Sequence, residues 1–177
     1  MTLRLFSIVP ALVTLTAACT FSIEAKVPDV EVTQHGLNMQ GVPQANLIGD
    51  VSVTSSFTLS SSNTAWAKRM NSQVFVDQVT VLAGDGLANL DFVTAARLTM
   101  ADPTSSEGTT EIASYERSAG APSSSVIEAS MPTPIEVTRI WSADNTVIEL
   151  DMSGQLPEQD WTVDVTLKMA GTISYKF

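Results

Sequence analysis

An all-β fold is what this sequence predicts: a single antiparallel β-sandwich with immunoglobulin-like or Greek-key connections and at most one short helix. Two observations predict it. Apolar residues recur at every second position in short segments, and those segments are separated by clusters of Gly, Pro, Asn, Asp and Ser. Alternate side chains of a strand point to opposite faces, so a period of two marks a sheet with one buried and one wet face.

Taken in order, Val51, Val53, Phe57 and Leu59 share a row with Ser55, while Ser52, Thr54, Ser56 and Thr58 face the other way. From Val74 the apolar positions are 74 and 76, then 79 and 81, and this change of parity near Asp77-Gln78 predicts a bulge. After the turn residues Gly84-Asp85-Gly86, the alternation resumes at Leu90, Phe92, Ala96, Leu98 and Met100 and stops at Asp102-Pro103. A polar loop through Ser105, Ser106 and Gly108 leads to Glu111-Ile112-Ala113. A second loop, Ser118 to Ser125, leads to Val126-Ile127, and Pro132-Thr133-Pro134 reads as a break.

The last third is the most regular. Ile148, Leu150 and Met152 alternate, Gly154 to Pro157 turn, and Trp161, Val163, Val165, Leu167 and Met169 form one face against Thr162, Asp164, Thr166 and Lys168. The same parity runs on through Ile173, Tyr175 and Phe177, so Gly171 reads as a bend. One segment departs from this pattern. Thr133-Pro134-Ile135-Glu136 has the hydroxyl, proline and glutamate spacing of a helix start, which predicts a short helix or helical turn over 134–141. The β-branched residues Ile135, Val137, Thr138 and Ile140 pull the other way. About seven strands joined by turns fit a sandwich, with a closed barrel as the competing architecture.

The N-terminus has a different logic. Arg4 gives it one positive charge, Leu5 to Leu15 are mostly apolar, and Thr16-Ala17-Ala18 are small residues ahead of Cys19. That order reads as a secretory signal, too short for the roughly 20 residues a bilayer-spanning helix needs. Cys19 is the chain's one cysteine, so it has no internal disulfide partner. The stretch Leu15-Thr16-Ala17-Ala18-Cys19 resembles the lipobox of bacterial lipoproteins. The resemblance covers only these residues and departs from the usual pattern, with Thr16 where an aliphatic residue normally stands. It implies cleavage before Cys19, acylation of the cysteine and anchoring to membrane lipid. By the same analogy Thr20, in place of an aspartate, resembles an outer-membrane address in a Gram-negative envelope. The expected organisation is a signal peptide at 1–18, a lipidated tether at 19–29 and one sandwich domain at 30–177.

The chain has 177 residues and a formal charge of −10, and residues 1–18 contain one charged residue, Arg4, so the remainder is more acidic still. Its basic residues stand singly except Lys68-Arg69. Nucleic acid, which requires clustered cations, is therefore not an expected partner, and anionic headgroups would repel the domain. Attachment is expected through the lipid.

Sites of chemistry are sparse. His35 is the sole histidine and sits in a polar stretch with no G-x-S-x-G pattern anywhere, so it reads as a surface residue. Asp85, Asn89 and Asp91 place oxygen donors on a glycine-containing loop, the weak signature of a calcium site, although the same residues are ordinary turn formers. Asp144-Asn145 reads the same way. Trp161 belongs to a core face, whereas Trp66, among Asn63, Thr64, Lys68 and Arg69, is a candidate for partner contact. No catalytic or cofactor-binding constellation is expected. These features together predict a non-enzymatic envelope module that binds a protein or glycan. A hydrolase acting on envelope glycans or esters through its many carboxylates, and a calcium-dependent binding module, are the competing readings.

Overall fold

The computed structural model of the chain describes residues 22–43, 49–60, 72–106, 108–141 and 145–176. Eight strands and one helical turn follow in order: β1 (Ser22–Met39), β2 (Val51–Ser60), β3 (Ser72–Ala83), β4 (Val93–Ala101), β5 (Thr109–Glu116), β6 (Val126–Glu136), α1 (Thr138–Trp141), β7 (Asn145–Gly154) and β8 (Trp161–Lys176). They form two four-stranded sheets, one in the order β1-β8-β3-β6 and the other in the order β2-β7-β4-β5. Every ladder is antiparallel.

The strand order distinguishes between the two expected connection patterns. Among the consecutive strands only β4 and β5 are neighbours in a sheet; every other connection passes from one sheet to the other. That is the double Greek-key wrapping of an eight-stranded jelly roll rather than the immunoglobulin arrangement.

The two inner faces form one core. Val163, Val165, Leu167 and Met169 of β8 are fully buried and face Ile148, Leu150 and Met152 of β7, which are 1% exposed or less. Burying a side chain of that size stabilises the fold by about 1.5–3 kcal/mol, so these two alternating runs carry much of it. The parity change at Asp77-Gln78 appears as a register shift between Val76 and Gln78 in the ladders with both β6 and β8. It keeps Val74, Val76, Val79 and Val81 all inside.

Three local expectations are corrected. Residues 134–141 are not one helix: Ile135 pairs with Val76 and Glu136 with Phe75 in β6, and α1 starts only at Thr138. The β-branched residues and the ladder outweigh the capping pattern, and the Thr138 hydroxyl accepts the Val74 amide at 2.9 Å where the strand ends. Pro132 and Pro134 do not break β6. Its register steps from Ser130 to Ile135 while β3 moves only from Gln78 to Val76, so both prolines lie in an excursion of an edge strand. Gly171 does not end β8, which runs through it paired with Val27 and Val74, and a register shift lies across the ladder between Val27 and Val30. Finally, Leu90 and Phe92 precede β4, because Leu90 and Val93 close a turn (Val93 N to Leu90 O, 3.0 Å).

β1 begins at Ser22, so the alternation of Glu24 to Val32 belongs to a strand that occupies most of the span expected as a tether. Ser22 pairs with Lys176, which puts both ends of the described chain at one end of the sandwich, here the terminal end. The β4–β5 hairpin and α1 share it. The opposite, far end carries the β1–β2, β3–β4, β5–β6 and β7–β8 connections, as the pairs Met39 with Trp161 and Val51 with Gly154 require.

Candidate binding surfaces

At the far end lie the residues read as a weak calcium loop. Asp85 is exposed, and Asn89 turns its side-chain oxygen back to the Asp91 amide at 3.1 Å. Asp91 meets a cation supplied by the chain itself. Its Oδ1 accepts the Arg117 guanidinium at 2.8 Å and the Ser124 amide at 3.0 Å. The Arg117 Nη2 also donates to the Pro122 carbonyl at 2.9 Å, and its side chain is only 16% exposed. Hydrogen bonds from Ser123 and Ser124, together with Arg117, hold the Asp91 carboxyl below the usual aspartate range. The carboxylate joins the β3–β4 loop to the β5–β6 loop. Among the described residues there is no group of three or more His, Cys, Asp or Glu side chains disposed to hold a metal ion.

His35 lies on the outer face of the first sheet, at a bulge in β1 where the register jumps from Gln34 to Leu37. Gly36 takes φ 60°, a conformation that favours glycine, and its amide donates to Asp164 Oδ1 at 2.8 Å. The other carboxylate oxygen, Oδ2, meets His35 Nδ1 at 2.8 Å. Asp164 thus staples the bulge, and the Gly36 amide, then His35, keep its carboxyl below the ordinary range. The histidine side chain remains 77% exposed. Lower on the same face Lys168 pairs with Asp29 at 3.0 Å, which raises the lysine above its ordinary value.

Trp161 is core, 5% exposed, with Phe92 edge-on at 5.1 Å. Its buried indole Nε1 finds no hydrogen-bond partner among the described residues. Cys19, Trp66 and Asp144 lie outside the described residues. Asn145 opens β7.

Two concave surfaces were not anticipated. At the terminal end a cleft of about 210 Å³ opens between the β4–β5 hairpin and α1, lined by Asp102, Ser105, Gly108, Thr110, Arg139 and Ile140. Asp102 is occupied locally: the Thr104 hydroxyl (2.7 Å) and amide (2.8 Å) cap its carboxylate and lower it. The second is a shallow groove of about 450 Å³ over the outer face of the β2-β7-β4-β5 sheet, bordered by Ala95, Arg97, Glu111, Glu116, Asp151 and Ser153. This face is acidic. The four strands carry Glu111, Glu116, Glu149 and Asp151 against Arg97, which is paired with Glu111 at 2.7 Å. Alternation within each strand was legible; that these carboxylates would share one sheet was not, because β7 enters between β2 and β4 from far along the chain.

Among the described residues Leu82 is the one large apolar side chain that is clearly exposed, and no helix is long and apolar enough to cross a membrane. No protein-family model matches the chain, and no curated protein matches it.

Proposed function

We propose that this chain is an exported lipoprotein, held at a membrane of the cell envelope through acylated Cys19, whose β-sandwich acts by binding a partner rather than by catalysis. The observation that carries the reading is the lipobox-like stretch Leu15-Thr16-Ala17-Ala18-Cys19 after an apolar run, and the place of Ser22 tells which end such an anchor would hold. Strand β1 begins three residues after Cys19 and starts at the terminal end beside Lys176, so a lipid on Cys19 sits directly under that end. Three extended residues span at most about 11 Å. The hairpin and α1 then lie next to the bilayer and the far-end loops point away from it. Acyl chains contribute about 0.8 kcal/mol per buried CH₂, which anchors a domain whose own charge is repelled by anionic headgroups. A binding role is favoured over hydrolysis because His35 stands 77% exposed on an outer sheet face and lines neither of the two concave surfaces described above.

Fractionation and mass spectrometry test the anchoring. The wild-type chain is expected in the membrane fraction with an N-terminal peptide that begins at a triacylated or diacylated Cys19, and Cys19→Ala is expected in the soluble fraction. A soluble wild-type chain with an unmodified cysteine would overturn the proposal.

A further inference from the structure

The four edge strands of the sandwich are not equally protected. An edge strand presents unpaired main-chain groups to any passing strand, and proteins blunt such edges with bulges, prolines, charges or brevity. Edge β1 has two bulges, Pro28 and several charged residues. Edge β6 has Pro132 and Pro134 in its excursion, and edge β5 is eight residues long with a register shift opposite Leu98 and Thr99. Among the described residues edge β2 has none of these devices. Its ten residues, VSVTSSFTLS, contain no proline and no charge, and its ladder with β7 runs from Val51 to Ser60 without a shift.

The inner row of β2 is incompletely covered: Val51, Val53 and Phe57 pack on the core yet remain half-buried. On the outer side Ser52, Thr54, Ser56 and Thr58 are exposed and short. Beyond that row stand Asp151 and Glu149 of β7, opposite Thr54 and Ser56. A strand added to β2 would lie roughly 9–10 Å from β7, two strand spacings away, within reach of lysine or arginine stems laid across the short hydroxyl row.

We infer that the edge of β2 on which no described strand lies is a strand-addition site for an extended segment of another protein, apolar at alternate positions and basic at those between. Apolar side chains of the added strand would extend the row of Val51, Val53 and Phe57, and its cations would meet Glu149 and Asp151. Main-chain bonds supply the affinity in this mode and the alternate side chains the selectivity. A second copy of the chain fits less well: antiparallel pairing of β2 with itself would put the two terminal ends on opposite sides of the pair. The inference rests on the binding role proposed above, and its preference for another protein over a second copy rests also on the anchoring, whose failure is read separately from the state of Cys19.

The test uses the full chain in detergent and a peptide of β2's own length, ten residues, alternating valine and lysine, against a peptide of the same composition arranged in two blocks. The alternating peptide should bind, protect β2 amides from hydrogen exchange and weaken as salt rises. Ser56→Lys should weaken it roughly fivefold and Ser56→Glu should strengthen it to a similar degree, the weight of a cross-strand charge contact. Three results would each overturn the inference: no binding, equal binding of the block peptide, or a dimer of the chain alone that Ser56→Lys dissolves.

Discussion

At the far end the connections are stitched to one another by main-chain bonds, whereas at the terminal end the β4–β5 hairpin and α1 stand on either side of an open cleft. Far-end bonds join segments distant in sequence: Val42 N to Pro157 O (2.8 Å), Gly84 N to Thr162 O (2.9 Å), Leu90 N to Ser124 O (2.8 Å) and Gln155 N to Phe92 O (3.0 Å). Those of the terminal end include local ones, such as Ser105 N to Asp102 O (3.1 Å), and one that ties the residue before α1 to β3, Val137 N to Val74 O (2.8 Å). Connections bonded to one another resist opening together. The contrast teaches that a single sandwich can concentrate its rigidity away from the end where its chain termini lie.

The largest expected effect comes from breaking the closest of the far-end approaches. Gly154 has φ 149°, and a β-carbon there would run into the Phe92 carbonyl oxygen. Gly154→Ala should therefore cost about 2 kcal/mol or more in urea denaturation. An unchanged midpoint would show that the β7 end and the Phe92 turn are free to part.

Next in size is Arg117→Leu, which leaves Asp91 without its cation while keeping an apolar stem. Hydrogen exchange should accelerate in 84–92 and 117–125 and stay unchanged around 102–108. Uniform acceleration would mean that the guanidinium supports the whole fold and not one end of it.

Acid sharpens the comparison further. Asp91 and Asp164 have lowered folded values, so the stability they contribute is present above the ordinary aspartate range and is lost as pH falls through their folded values. Both hold far-half features, the loop junction and the Gly36 bulge, against Asp102 alone at the hairpin. Below about pH 4 the far half, with two such carboxylates, should lose more stability than the hairpin, seen as a larger loss of amide protection at Gly36 and Ser124 than at Thr104. The smallest effect is expected for Trp161→Phe. It removes a buried N–H that lacks a partner but leaves a small void, so the two changes should offset to within about 1 kcal/mol.

How much of this was legible in the sequence depended on the range of the interaction. The alternating rows at 161–169 and 148–152 and the parity slip at Asp77-Gln78 are local patterns set by which side chains must be buried, and they match the strands and the bulge. The start of a helix at Thr133 is also a local pattern, but a ladder partner at Val76, distant in sequence, overrode it. Leu90 and Phe92 kept strand parity while lying in a turn, since a turn can deliver the same side chains to the core. Arg117 beside Asp91 is separated from it by 26 positions and Asp164 from His35 by 129, and no spacing rule reaches that far. The sequence therefore showed His35 and Asp91 as isolated groups, and their partners became visible only when the strands were in register. The acidic face of the second sheet and the unguarded edge at β2 were hidden for the same reason: both depend on strand order.

One of the two central places in each sheet is taken by one of the last two described strands. β8 lies between β1 and β3, and β7 lies between β2 and β4. A growing or threading chain therefore holds its first three strands without lateral partners until the C-terminal third arrives. Four of the six ladders are then completed late and between remote segments, the regime of slow folding with unpaired edges exposed along the way. A chain that stopped before Asn145 would have neither sheet closed, so early termination should yield aggregates rather than a smaller sandwich.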